Sequence, residues 1–268
     1  MRIMIAVLAL AAGSAQAQGI GTSSKAEISL LAGWGEADGG RLAGLSITLE
    51  PGWKTYWRTP GETGIPPTFD WSESRNVGAV EVIWPAPTVF LTYGFSTLGY
   101  KNHVTLPLRV KPVDPDAPIS LRLGFDYGVC EEICIAEHAD VALDIAPGAA
   151  AESGPQIAEY LARAPMGAVE AGVVTAACAV RGAGAERRFD ARMTFDPPLT
   201  RTPMVVVEGP ANMWFGPSDT AVEGADLTAT AEVQVYGEAP WIGRDSLRMT
   251  VLAENEAIDI RGCGAAIN

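Results

Sequence analysis

The chain has 268 residues, and its 32 acidic side chains against 19 basic ones give a formal net charge of −13. That balance excludes a partner gripped through nucleic-acid phosphates, which calls for a basic face. Its length suits one large hydrophobic core or two ordinary ones.

The N-terminus "MRIMIAVLALAAGSAQAQG" has one basic residue, Arg2, then an apolar run, then small residues ending at Ala17. This pattern predicts a secretory signal peptide over residues 1–17. The apolar run falls short of the ~20 residues a membrane anchor requires. Export to an oxidising compartment follows, and the even count of four cysteines then invites pairing.

From Glu27 onward, short runs alternate apolar and polar residues between Gly and Pro: "AEISLLAGW", "RLAGLSITLE", "AVEVIWPAP", "HVTLPLRV" and "ISLRLGFDY". They predict an antiparallel sandwich over residues 18–147. In "GWKTYWRTP", Trp53 and Trp57 lie four apart in a strand and share a face, which suits packing, although the cluster also has a docking surface's composition. Pro66 and Pro67 imply a rigid loop, and His103 reads as an ordinary strand histidine.

Residues 148–165 form a joint that is rich in small residues, with one short helix capped by Ser153 and running to Arg163. Strands resume in "AGVVTAACAV", "ERRFDARMTF", "PMVVVEG", "TATAEVQVY", "SLRMTVLAE" and "AIDIRGCG", and residues 166–268 suit one immunoglobulin-like sandwich. The fold class expected is all-β: two β-sandwich domains joined by a short helical linker.

The cysteines form two unlike pairs. Cys178 lies in the first strand of the second half and Cys263 in the last; a bridge closing that loop is a staple contributing about 4–5 kcal/mol in the chain-entropy model. Cys130 and Cys134 flank the hairpin turn Glu131-Glu132-Ile133. Opposed residues of an antiparallel pair lie about 4.5–5.5 Å apart at Cα, within disulfide reach. So short a loop stabilises by only about 2 kcal/mol, and a bridge at an exposed tip is open to an attacking thiolate, which favours redox chemistry. Glu131 and Glu132 disfavour the thiolate and incline the pair to give electrons away, or else they merely solvate the turn.

Two other readings stay open. Cys130, Cys134 and His138 would share one face of a helix and suit Cu(I), although the flanking alternation argues for a strand. Both bridges could instead be inert, in a structural interaction module. Two histidines without a triad signature argue against hydrolysis, and the cysteines lie in no βαβ pattern. No cofactor and no small-molecule substrate is expected.

"VFLTYGFSTLGYKNHVTLPLRV" followed by "FDYGVCEEIC" resembles the periplasmic N-terminal domain of the thiol:disulfide interchange protein DsbD, most densely from Trp84 to Ile145. The upstream "GWKTYWRTPGETGIPP" is similar to the longer N-terminal region of the copper-tolerance relative ScsB. The resemblance implies an immunoglobulin-like first domain whose cysteines carry electrons from a membrane-embedded reductant transporter to periplasmic thioredoxin-fold proteins. It also implies a cap loop made of Leu91, Thr92, Tyr93, Gly94 and Phe95, with the tyrosine over the sulfurs and the glycine permitting a tight turn. Cys134 would form the mixed disulfide and Cys130 would resolve it. Two features depart from DsbD: its cysteines are five residues apart rather than three, and it carries the transporter and a thioredoxin-like domain on the same polypeptide. Electrons are therefore expected to reach this chain from a separate protein.

Overall fold

The computed structural model describes all residues except 1–19, 23–24, 93, 184–185, 238–242, 254–255 and 266–268; the expected signal peptide thus lies outside the described residues. The first half contributes, in chain order, β1 (Ile20–Thr22), β2 (Ala26–Gly35), β3 (Arg41–Leu49), β4 (Lys54–Gly61), β5 (Thr68–Asp70), β6 (Val77–Val82), β7 (Thr88–Thr92), β8 (Phe95–Lys101), β9 (His103–Pro112), β10 (Ile119–Cys130) and β11 (Cys134–Ile145). One sheet runs β1-β2-β3-β9-β6 and the other β11-β10-β4-β8-β7, with β5 also paired to β10.

Alternation decides which residues lie between these sheets. Along β10, Ile119, Leu121, Leu123, Phe125, Tyr127 and Val129 are buried, and they meet Ile28, Leu30, Leu45, Leu106 and Leu108 of the other sheet in one core. Each such aliphatic side chain contributes about 1.5–3 kcal/mol on burial. The even-numbered residues of β10 point away from this core, which puts Cys130 on the outer face.

Expected strand positions recur in the second half. A four-stranded sheet contains Met204–Glu208, Arg248–Leu252 and Ala257–Arg261, and a six-stranded sheet contains Val173–Ala183, Glu186–Phe195 and Asp226–Val235. Phe189, Met193, Phe195, Leu227 and Met249 fill a second core between them. Cys178 and Cys263 are bonded with their Cα atoms 5.7 Å apart, tying the first long strand of this half to the segment after its last.

The helix Gly154–Leu161 starts just after Ser153, but the Ser153 side chain makes no capping hydrogen bond. Its backbone has φ −95° and ψ 14° rather than the extended geometry of an N-cap, and Pro155 presets the first turn instead. The helix is also more than a spacer, because it lies against the outer face of the first sheet. Ile157 is fully buried over Gly44, where an added Cβ would come within 3.0 Å of it. Tyr160 and Gln156 bond His103 and Thr105 of β9. His103, a strand histidine as expected, thus anchors the helix, and burial lowers its pKa.

The two halves share a boundary. Val206, Leu252 and Ala257 of the second half belong to the core cluster of the first. Beside them Arg58 of β4 stacks 3.7 Å over Trp57 and forms a two-pronged ion pair with Glu208, at 2.9 Å from both Nε and Nη2. Thr59 donates to the same carboxylate at 2.7 Å, and Nη2 also donates to Thr250 at 2.9 Å. Burial draws the Arg58 pKa down and Glu208 opposes that shift.

Removing one partner of a buried pair leaves the other charge uncompensated. Glu208→Ala should therefore cost about 3–5 kcal/mol in urea unfolding, whereas Arg58→Met combined with Glu208→Leu should cost much less. Equal losses in both would show that the ion pair is not what the boundary depends on.

Candidate redox site

β10 and β11 pair in continuous register from Ile119↔Ile145 to Cys130↔Cys134, so the cysteines are the last opposed residues before the turn. They form a disulfide with their Cα atoms 4.1 Å apart. The turn is as expected: Glu131, Glu132 and Ile133 are all exposed, Ile133 at 72 %. The two sulfurs differ in access, because Cys134 is exposed whereas Cys130 is only 6 % exposed despite its place on the outer face.

On its other side Cys130 is flanked by β4. Cys130 pairs with Lys54 of β4, and Lys54 in turn pairs with Lys101 of β8. Directly opposed residues of antiparallel strands share a face, so Cys134, Cys130, Lys54 and Lys101 form a row across four strands. Two positions on, Tyr56 also points outward and is buried, with its hydroxyl 3.1 Å from the Cys134 sulfur. A bridged sulfur carries no proton, so the phenol is the donor. Burial raises the Tyr56 pKa and keeps that proton in place.

The Tyr56 ring reaches the sulfur because residue 128 is glycine. A Cβ there would come within 2.8 Å of the ring and 2.6 Å of the Ile65 side chain. Sequence reasoning missed Lys54 and Tyr56 by attending to the tryptophans beside them. Trp57 is fully buried, whereas Trp53 lies before the strand, partly buried, with Lys25 5.1 Å from its ring centre. The signal was the alternation itself: with Thr55 and Trp57 inward, Lys54 and Tyr56 must face out.

The expected cap is the tip of a β-hairpin rather than a free loop. Leu91 and Thr92 end β7, Phe95 begins β8, and Thr92 pairs with Phe95. Gly94, at φ 86°, adopts the left-handed backbone foreseen for it. Tyr93 lies outside the described residues. Leu91 and Phe95 are exposed at 78 % and 48 %. Phe90, which the sequence did not single out, has the ammonium groups of Lys54 and Lys101 each 5.2 Å from its ring centre. Lys54 also donates to Thr97 Oγ1 at 3.4 Å, and burial, then Lys101, lowers its pKa.

The expected acidic neighbours, Glu131 and Glu132, are in solvent at the tip, the Glu131 carboxylate lying over Gly52. Lys54 stands across from Cys130 in the backbone register, but its ammonium is directed to Thr97 and the Phe90 ring. His138 does not join the sulfurs. It lies four residues along strand β11 from Cys134, which at about 3.3 Å per residue is about 13 Å. Its Nδ1 is 2.7 Å from Asp126 and its Nε2 3.3 Å from Asp140. No group of three or more His, Cys, Asp or Glu gathers for a metal among the described residues.

Bonding to Asp126 and then Asp140 raises the His138 pKa above 6.5. Its contribution to stability is present below the unfolded pKa and lost as pH rises through the folded one, and its exposure keeps it small. An NMR titration of His138 should show a midpoint above the usual histidine value that falls in Asp126→Asn; an unchanged midpoint would remove Asp126 as the cause.

Residues 28–145 match the family described as thiol:disulfide interchange protein DsbD, N-terminal. The N-terminal periplasmic domain of ScsB from Proteus mirabilis, seen in a crystal structure, is similar to the chain at a TM-score of 0.72 and 24% identity, over 94% of this chain and 100% of that one. No curated protein matches the sequence. The resemblance to the DsbD N-terminal domain therefore holds over residues 28–145, within a chain whose fold is similar to that of the ScsB domain.

Proposed function

We propose that this chain is an exported thiol:disulfide exchange protein of the protein-disulfide reductase type, acting through Cys130 and Cys134. The observation that carries the reading is their asymmetry on a shared hairpin: one exposed sulfur for a partner to reach and one covered sulfur close enough to resolve the adduct. Exposed Leu91, Phe95 and Ile133 nearby offer the apolar contact a docking protein needs. The match over residues 28–145 supports the same chemistry.

In this reading the reduced Cys134 thiolate attacks a disulfide of a periplasmic thioredoxin-fold protein, and one partner sulfur leaves as thiolate. Cys130 then attacks Cys134, closing the internal bridge and releasing the partner's second sulfur. Two electrons pass to the partner, and two protons follow from the thiols through water. A membrane-embedded reductant transporter restores the dithiol. The work takes place in the periplasm, to which residues 1–17 direct the chain. Both halves are immunoglobulin-like sandwiches, and the second holds β4 in place through Glu208 while Cys178–Cys263 holds the second half together.

Cys134→Ser should abolish exchange with a thioredoxin-fold partner, measured by trapping the partner's free thiols. Cys178→Ser should leave exchange in place and lower stability by about 4–5 kcal/mol. Exchange that persisted in Cys134→Ser, or a Cys130–Cys134 bridge that resisted thiol reductants until the chain unfolded, would overturn the reading.

A further inference from the structure

We propose that the groove between the two halves is a docking site for an extended, basic peptide segment of a partner protein, which pairs with the open edge of the strand Met204–Glu208. The site goes beyond thiol exchange and does not rest on it. The groove encloses about 470 Å³, with Thr59–Gly61, Ser96 and Leu98 on the side of the first half and Met204–Ala211 and Met213–Ser218 on the side of the second.

Met204–Glu208 pairs with Arg248–Leu252 and ends its sheet, so one side of it has no neighbouring strand. In an antiparallel sheet each residue turns its amide and carbonyl to one side, and successive residues alternate. Two hydroxyls show which residues face the free side: Thr220 donates to the Pro203 carbonyl at 2.8 Å, and Ser218 donates to the carbonyl of Val205. The neighbouring strand agrees. The Leu247 carbonyl and the Ala253 amide are bonded on its far side, by Gly262 and Glu256, which leaves Arg248, Thr250 and Leu252 to bond Glu208, Val206 and Met204.

Val207 is therefore the next residue whose backbone faces the groove, and among the described residues nothing bonds its amide or carbonyl on that side. The covering segment runs past the edge two residues at a time, Thr220 against Pro203 and Ser218 against Val205. The same step brings Gly216, which has no side chain, to Val207. Val207 is only 5 % exposed, and a covered backbone group without a partner costs free energy. An extended peptide supplies the missing donor and acceptor together, as strands added to a sheet edge do.

The walls fix the chemistry of that peptide. Pro60, Leu98, Met213, Trp214 and Pro217 offer apolar contact to its side chains, and the charged residues of the groove are Glu62 and Glu208. Arg58 holds Glu208, whereas Glu62 is exposed and accepts from the Ser96 amide at 2.9 Å. In a chain of net charge −13, such a groove favours a segment carrying lysine or arginine over an acidic one. The groove also adjoins the cysteine hairpin: an added Cβ on Gly64 of its wall would come within 2.8 Å of the Tyr56 ring, whose hydroxyl bonds Cys134.

The test is amide NMR of the full chain titrated with acetylated, amidated hexapeptides in which lysine alternates with valine, leucine or phenylalanine. At least one should give saturable shifts of the Val207 amide and the Trp214 indole, with slowed exchange of the Val207 proton. Only one set of alternate peptide amides faces the strand, so N-methylating that set should abolish binding and N-methylating the other should spare it. Glutamate in place of lysine should weaken binding by about fivefold or more. No saturable shift with any of the peptides, shifts confined to the cysteine hairpin, equal binding of the glutamate peptides, or binding that survives methylation of either set would overturn the inference.

Discussion

In an antiparallel sheet, residues directly across from one another share a face, and at the end of β10 that rule sets Cys130 between Cys134 and Lys54. The site depends on this register. A slip of one residue would carry Cys130 to the core side and Val129 to solvent. What prevents it is the unbroken inward series from Ile119 to Val129, each member buried in the shared core. The cysteine hairpin is held by hydrophobic packing far from the sulfurs, and the turn itself can stay polar and open.

β4 serves both ends of this arrangement. Its first residues set Lys54 across from Cys130 in register and bring the Tyr56 hydroxyl to Cys134, and its later ones carry Trp57 into the core and Arg58 to Glu208. Between Tyr56 and Gly61 its pairing with β8 is irregular, and Gly61, at φ 88°, could not accept a side chain there without meeting the Ser96 carbonyl. One strand thus shifts its register within its own sheet and joins the cysteine face to the second half. That connection gives residues 166–268 a physical bearing on the site, which their distance from it in sequence conceals.

Most of the strands were legible because period-two alternation survives wherever one face is buried, as in "ISLRLGFDY" and "ERRFDARMTF". The cysteine turn was legible for the same reason, since alternation runs into it and out again. The β7–β8 hairpin was harder to see. Only two positions separate its strands, and Leu91 and Phe95 near its end are exposed apolar residues that alternation does not explain. Tyr56 and Cys134 are 78 residues apart, and Arg58 and Glu208 are 150 apart. No local pattern encodes such meetings, so the sequence pointed to the acidic turn while the fold placed the Tyr56 hydroxyl against the Cys134 sulfur.

The boundary between the halves also governs how the molecule can come apart. If the second half opened alone, Arg58 would lose its counter-charge while Trp57 stayed packed beneath it, and Val206, Leu252 and Ala257 would leave the first core open to water. Parting the two folded halves would thus expose apolar surface and an unpaired charge while releasing little chain entropy. The second half therefore adds to the stability of the first across this boundary, and the lifetime of the cysteine hairpin depends on the half that lacks it as well as on the half that carries it.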